Sequence, residues 1–230
     1  MKKAFTLLEI VFVVTIIAIL SITTFSLYEN DDLTIAKEQV LEHIRYTRYL
    51  AMSESKFDPI ESFYLNQTGS GQSGMGKYQL SFWQIRFIKR LSTNPQVIGY
   101  SIYSDRDRKG NIDTVSHIEP AVNQYDRKLI HAFGDPDSQK VSVDSFLNLR
   151  YGIVDVYFST SCQPAGYSRV SNDIGTIVFD NNGVPYSGVS NVRSTEFMLK
   201  NDCNITLVHK SGKKAIVTVS KGTGYVFASP

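Results

Sequence analysis

The chain has 230 residues, enough for one domain with a single buried core plus an appendage. Its 24 basic and 22 acidic residues leave a net charge of +2 with no block of like charges, so neither a polyanion-binding footprint nor an acidic disordered tail is visible. Apolar residues, 42% of the whole, crowd the start: Ala4 to Leu20 is almost purely apolar, whereas everything beyond Tyr28 has the mix of an ordinary soluble fold.

Lys2 and Lys3 precede an apolar run from Phe5 to Leu27 that only Thr, Ser and one carboxylate, Glu9, interrupt. Read as a helix, the run is about 34 Å long, enough to cross a hydrocarbon core of about 30 Å. The two lysines then stay cytoplasmic and the remainder is exported. A cleaved secretory signal peptide shares the basic start and the apolar stretch. Against it stand the length of the run and Glu9, because a carboxylate within a membrane is costly unless it is paired or near the interface.

Lys3-Ala4-Phe5-Thr6-Leu7-Leu8-Glu9 resembles the processing motif of type IV prepilins: a basic leader, a small residue, Phe, and Glu four residues after the Phe. The resemblance implies that a prepilin peptidase cuts between Ala4 and Phe5 and that the new Phe5 amine is methylated. It also implies a single-pass protein of the bacterial inner membrane, with a periplasmic head, that joins other pilins or pseudopilins on an assembly platform. The family's usual residue before the cut is Gly, and Ala4 is the next smallest choice. A Phe5 ammonium would lie one helical turn from Glu9, so one subunit's carboxylate can neutralise its own or a neighbour's terminus, which assigns Glu9 to assembly.

Asn30-Asp31-Asp32 is a capping-type cluster. Beyond it Leu33, Ala36, Val40, Ile44, Thr47 and Ala51 recur at helical spacing, with Lys37, Glu38, Glu42, Arg45 and Arg48 on the other face, so the helix is expected to continue to about Ser53. From Phe57 onward, alternation and β-branched or aromatic residues between Gly, Asn, Asp and Pro predict strands. They fall at residues 78–89, 97–103, 127–133, 147–158, 176–179, 197–200, 205–209 and 215–220, the last two closed into a hairpin by Lys210-Ser-Gly-Lys213. Gly69 to Gly76 is a glycine-rich loop.

The expected fold is α+β and pilin-like: a long N-terminal helix, half transmembrane and half amphipathic, packed on an antiparallel β-sheet head. Residues 1–4 are the leader, 5–28 the transmembrane and filament-core helix, 29–56 its amphipathic half, and 57–230 the periplasmic head. Ile177-Val-Phe-Asp-Asn-Asn-Gly183, Ile205-Thr-Leu, Ile216-Val-Thr-Val and Thr223-Gly-Tyr-Val226, with the Asp-rich turn after Ile102, are similar to the GspH/FimT group. That group holds minor pilins of type IV pili and pseudopilins of type II secretion. The resemblance implies a subunit that initiates or caps a filament.

Cys162 and Cys203 form no CxxC, which removes zinc-ribbon and thioredoxin-type readings and leaves a disulfide in an oxidising compartment, with two buried free thiols as the alternative. Asp105, Asp107, Gly110 and Asp113 occupy positions of an EF-hand-like loop, so three carboxylates make calcium a candidate ligand. Lys109 and Ser116 stand where further ligands belong, and a solvated Asp-Gly turn is the competing reading; no other cofactor is expected. Gly71 to Lys77 has P-loop spacing, but Tyr78 replaces the magnesium-holding Ser or Thr and a strand follows, which excludes it. His43, His117, His131 and His209 show no metal-ligand spacing and read as surface or strand residues. No nucleophile-elbow motif is present, so no enzyme is expected, and an anchored exported enzyme is the weakest reading.

The alternative function is a pilus-associated surface receptor for DNA or another ligand, since Arg86, Lys89 and Arg90 interleave with Tyr78, Trp83 and Phe87. On a strand, however, these residues separate onto two faces, aromatics inward and cations outward. The arginine-rich C-terminal motif of the DNA-binding relatives is also missing, and the net charge is near neutral.

Overall fold

The computed structural model describes residues 7–54, 56, 78–106, 117–162, 173–188 and 197–228, with residues 22–31, 78–79 and 173 as backbone alone. Helix α1 runs unbroken from Leu7–Ser53. The capping-type cluster at residues 30–32 therefore stops nothing. Its poor helix formers cost only a few tenths of a kcal/mol each, which a helix anchored by packing on its C-terminal side absorbs.

The apolar stripe of α1 lands as its spacing requires: Leu33, Ala36, Val40, Ile44, Thr47 and Ala51 are all buried. They face two antiparallel sheets. One is ordered β3-β2-β1-β5-β6, from β1 (Gln84–Arg90), β2 (Val97–Asp105), β3 (Ile118–Pro120), β5 (Asp173–Phe179) and β6 (Pro185–Tyr186). The other is ordered β4-β7-β8-β9, from β4 (Ile153–Phe158), β7 (Cys203–His209), β8 (Lys214–Val219) and β9 (Val226–Ala228). One apolar core joins them, with Ile44 of α1, Ile85 and Phe87 of β1, Ile102 of β2 and Leu207 and Val217 of the second sheet in a single cluster. Thus the α+β class and the antiparallel pairing hold, with two sheets where one was expected.

Four expected strands differ, each for a local reason. Residues 78–81 form a 3-10 turn, and Leu80, Ser81, Phe82 and Trp83 are buried in succession, which a one-sided strand does not allow. Over 127–133 the chain makes only isolated bridges, because Arg127 has φ 60, outside the β region. Residues 147–158 divide at Gly152, whose φ of 64 ends a short helix α2 (Leu147–Tyr151) before β4 begins. There Leu147 and Tyr151 are buried while Leu149 is half exposed, a helical spacing inside an alternating sequence. Residues 197–200 give a single bridge, Met198 to Tyr186. The short strands β3 and β6 escape sequence reading because each is two or three residues long and contains Pro. The 210–213 hairpin forms as expected, Val208 opposite Lys214.

Candidate functional site

Among the described residues nothing covers α1 from Leu7 to Ser21: Leu7 is 83% exposed and Phe12 66%, and every residue of the stretch is exposed. Apolar surface of this extent suits apolar surroundings better than water. Its hydroxyls fit such surroundings. Thr15 Oγ1 donates to the Val11 carbonyl at 2.7 Å and Ser21 Oγ to the Ile17 carbonyl at 2.7 Å, so both are satisfied inside the helix. Glu9, in the first turn, is the one ionisable residue of the stretch. Among the described residues no helix is long and apolar enough to cross a membrane. The stretch with described side chains, Leu7 to Ser21, spans about 22 Å at 1.5 Å per residue, shorter than a hydrocarbon core of about 30 Å.

The other half of α1 is fixed to the head by side chains as well as by its stripe. Arg45 Nη2 donates to the Val226 carbonyl of β9 at 2.9 Å. Arg48 Nε donates to the carbonyls of Gly183 at 3.3 Å and Thr223 at 3.1 Å, drawing together the turns that follow β5 and β8. At that junction Gly224 has φ 64, and a Cβ there would run into the Gly183 carbonyl oxygen. Gly224 is thus accounted for by close main-chain approach, and Gly183 by its φ of 76 and the Arg48 and Met52 side chains packed against it. Asp180 closes the first turn, accepting from the Asn182 and Val184 amides and the Tyr186 hydroxyl.

The end of α1 is latched. Trp83 Nε1 donates to Glu54 at 3.1 Å, and Lys56 Nζ bridges Glu54 at 2.6 Å and Glu119 of β3 at 3.0 Å. The hydrogen bond from Lys56 holds the Glu54 carboxyl below its usual range. Burial would lower the Lys56 ammonium, but the two carboxylates outweigh it and raise it.

His209 ends β7, as a strand residue should, but burial on a helix corrects the reading of His43. His43 lies on the inner face of α1, with Nδ1 2.7 Å from the Tyr100 hydroxyl and Nε2 2.9 Å from the Gln39 amide. Desolvation, partly opposed by Asp144 and Asp126, lowers its pKa to about 4. A neutral ring accepts from Gln39 and donates to Tyr100, whereas a charged ring would face the amide donor with a second N–H. His131 and His209 are buried as well.

The remaining predicted residues divide in two. Cys162 and Cys203 form a disulfide, Cα–Cα 4.9 Å, tying the end of a 3-10 turn to the first residue of β7. Asp105 ends β2 and is buried, opposite Ile118. Asp107 and Asp113 lie outside the described residues, as do Ala4, Phe5 and the glycine-rich loop. Among the described residues no group of three or more His, Cys, Asp or Glu is placed to hold a metal ion. The cations of β1 are engaged: Lys89 pairs with Asp155 at 2.8 Å, Arg90 donates to the Ala132 carbonyl at 2.8 Å, and Arg86 lies over the Phe133 ring. Trp83 and Phe87 are buried. No family model, curated protein or solved structure matches the chain.

Proposed function

We propose that the chain is a structural subunit of a type IV pilus-like filament, a minor pilin or pseudopilin that helps to initiate or cap it. The observation that supports this reading is the division of one continuous helix into an exposed part, apolar but for Glu9 and two hydroxyl residues, and a part packed onto an antiparallel head. Such a helix suits a subunit held first in the inner membrane and then withdrawn into a filament core, because both places are apolar. In this reading residues 5–28 as a whole span the membrane and the head stands in the periplasm. Prepilin peptidase cuts between Ala4 and Phe5, Phe5 is methylated, and the partners are other pilins or pseudopilins and the inner-membrane assembly platform. The pilin-like fold belongs to the same proposal. A receptor role for DNA gains no support from β1, whose cations already have partners in the head.

Glu9 gives the test. Pairing of its carboxylate with the Phe5 amine of a neighbouring subunit would guide recruitment. Glu9→Val leaves insertion and cleavage intact, since the helix only becomes more apolar. An uncompensated amine costs about 3 to 5 kcal/mol, so the filament-associated fraction falls by orders of magnitude while the membrane fraction holds. Equal incorporation of variant and wild type in a fractionation would remove Glu9 from assembly.

A further inference from the structure

Beside the head-bound half of α1 lies a hollow of about 330 Å³, set between the helix and the turn at residues 122–127. Its walls are aromatic, formed by Tyr46 and Tyr49 of the helix and Tyr125 of the turn. Glu42, Arg45 and Gln124 stand with them, and the buried His43 and Asn123 complete the lining. Tyr125 is 85% exposed and Tyr49 62%, so neither ring contributes much to the core.

The turn is held more firmly than its exposure requires. Asn123 is fully buried, and its Nδ2 donates to Ser142 Oγ at 2.9 Å and to Asp144 at 3.3 Å. Its Oδ1 accepts the Tyr125 amide at 3.0 Å, which fixes the backbone that carries the ring. The Asn123 amide donates to the Lys128 carbonyl at 2.7 Å, and the Arg127 amide to the Asn123 carbonyl at 3.0 Å. Arg127 takes φ 60, a left-handed conformation unfavourable for a side chain of its size. On the helix side the Tyr46 hydroxyl donates to the Val122 carbonyl at 3.3 Å. The buried Asn123 thus holds the backbone that carries the exposed Tyr125 ring beside the hollow.

The charges indicate what fits. Arg45 Nη1 is bonded to Glu42 at 3.1 Å and Nη2 to the Val226 carbonyl at 2.9 Å, so the rim offers neither sign of charge in excess. An anion or cation would have to displace an existing pair. A neutral polyol would not. The C–H faces of a pyranose ring are apolar and lie flat on aromatic rings, while its hydroxyls donate and accept at the same edge, matching the Gln124 amide and the Glu42 carboxylate. The volume is at the small end for ligand pockets and admits one or two such rings.

We propose that this hollow binds an uncharged saccharide of one or two pyranose units, a role separate from filament assembly. The test is saturation-transfer NMR on the full chain in a detergent without a sugar headgroup, with maltose, cellobiose, lactose and mannobiose as probes. Saturation of ring C–H protons is expected for at least one of them, with a Kd of about a millimolar. Tyr125→Ala weakens binding about tenfold or more and Gln124→Ala several-fold, whereas Tyr225→Ala, outside the hollow, leaves it unchanged. The exposure of Tyr125 spares the fold, and Tyr49→Ala repeats the test from the helix side. Absence of saturation from all four sugars up to about 20 mM, or wild-type binding by both Tyr125→Ala and Tyr49→Ala, overturns the proposal.

Discussion

His43 and Gly224 show what single positions contribute. The pKa of His43 falls from 6.5 to about 4 on folding, so below 6.5 the unfolded chain takes up a proton that the folded chain refuses. Its contribution to stability is complete above pH 6.5 and is lost as the pH falls towards 4, by about 3 kcal/mol in all. His131, also lowered to about 4 by burial and by Arg90, adds a term of the same sign. The depressed carboxylates Glu54 and Asp155 act lower, since theirs is stability present above the ordinary carboxylate range and lost beneath it. Urea midpoints should therefore drop steeply between about pH 6.5 and 4.5, and His43→Gln should flatten roughly half of that slope. A wild-type midpoint constant over the window would contradict the buried neutral imidazole. At Gly224, Ala meets both a left-handed φ and the Gly183 carbonyl oxygen, and about 2 to 4 kcal/mol of destabilisation is expected in the same assay.

Among the elements, the disulfide closes a separation of 41 residues, from the turn before β5 to β7. In the chain-entropy model this is worth about 4 kcal/mol. Cys162→Ser with Cys203→Ser should lower the urea midpoint accordingly, and protein from an oxidising compartment should resist alkylation until it is reduced. Labelling of both thiols without reductant would contradict the bridge. The even count of cysteines made this pairing readable from sequence, as the helical spacing from Leu33 to Ala51 made the inner face of α1 readable. Long, strongly periodic segments carry their own pattern. The segment at 127–133 does not, because Arg127 adopts a backbone angle that its residue type does not announce. Alternation misleads at 147–151 for a related reason: five residues fit both periods, and only the burial of Leu147 and Tyr151 with Leu149 exposed separates them. His43 was illegible as a core residue because its partner Tyr100 stands 57 positions away. The hollow was illegible too, since Tyr46, Tyr49 and Tyr125 come together only when the 122–127 turn folds against α1.

Among the described residues, one large apolar cluster joins the two sheets of the head, and the helix that packs on it continues beyond it bare. A fold that buries one stripe between Leu33 and Ala51 yet leaves Leu7 to Leu20 exposed carries a continuous apolar surface on one rod-like helix. In water such a rod associates. The full chain should therefore need detergent or a partner to stay dispersed, while the head supplies the polar outer surface. Maturation between Ala4 and Phe5 would keep the rod attached, and that separates a filament subunit from a secreted protein, whose leader is removed with its apolar stretch. N-terminal mass spectrometry of the protein expressed in bacteria with a prepilin peptidase distinguishes the two directly. The account predicts a mature chain that begins at Phe5 and carries a methyl group on its amine. A mature start between Ser21 and Tyr28 would contradict it, because the bare apolar part of α1 would be gone.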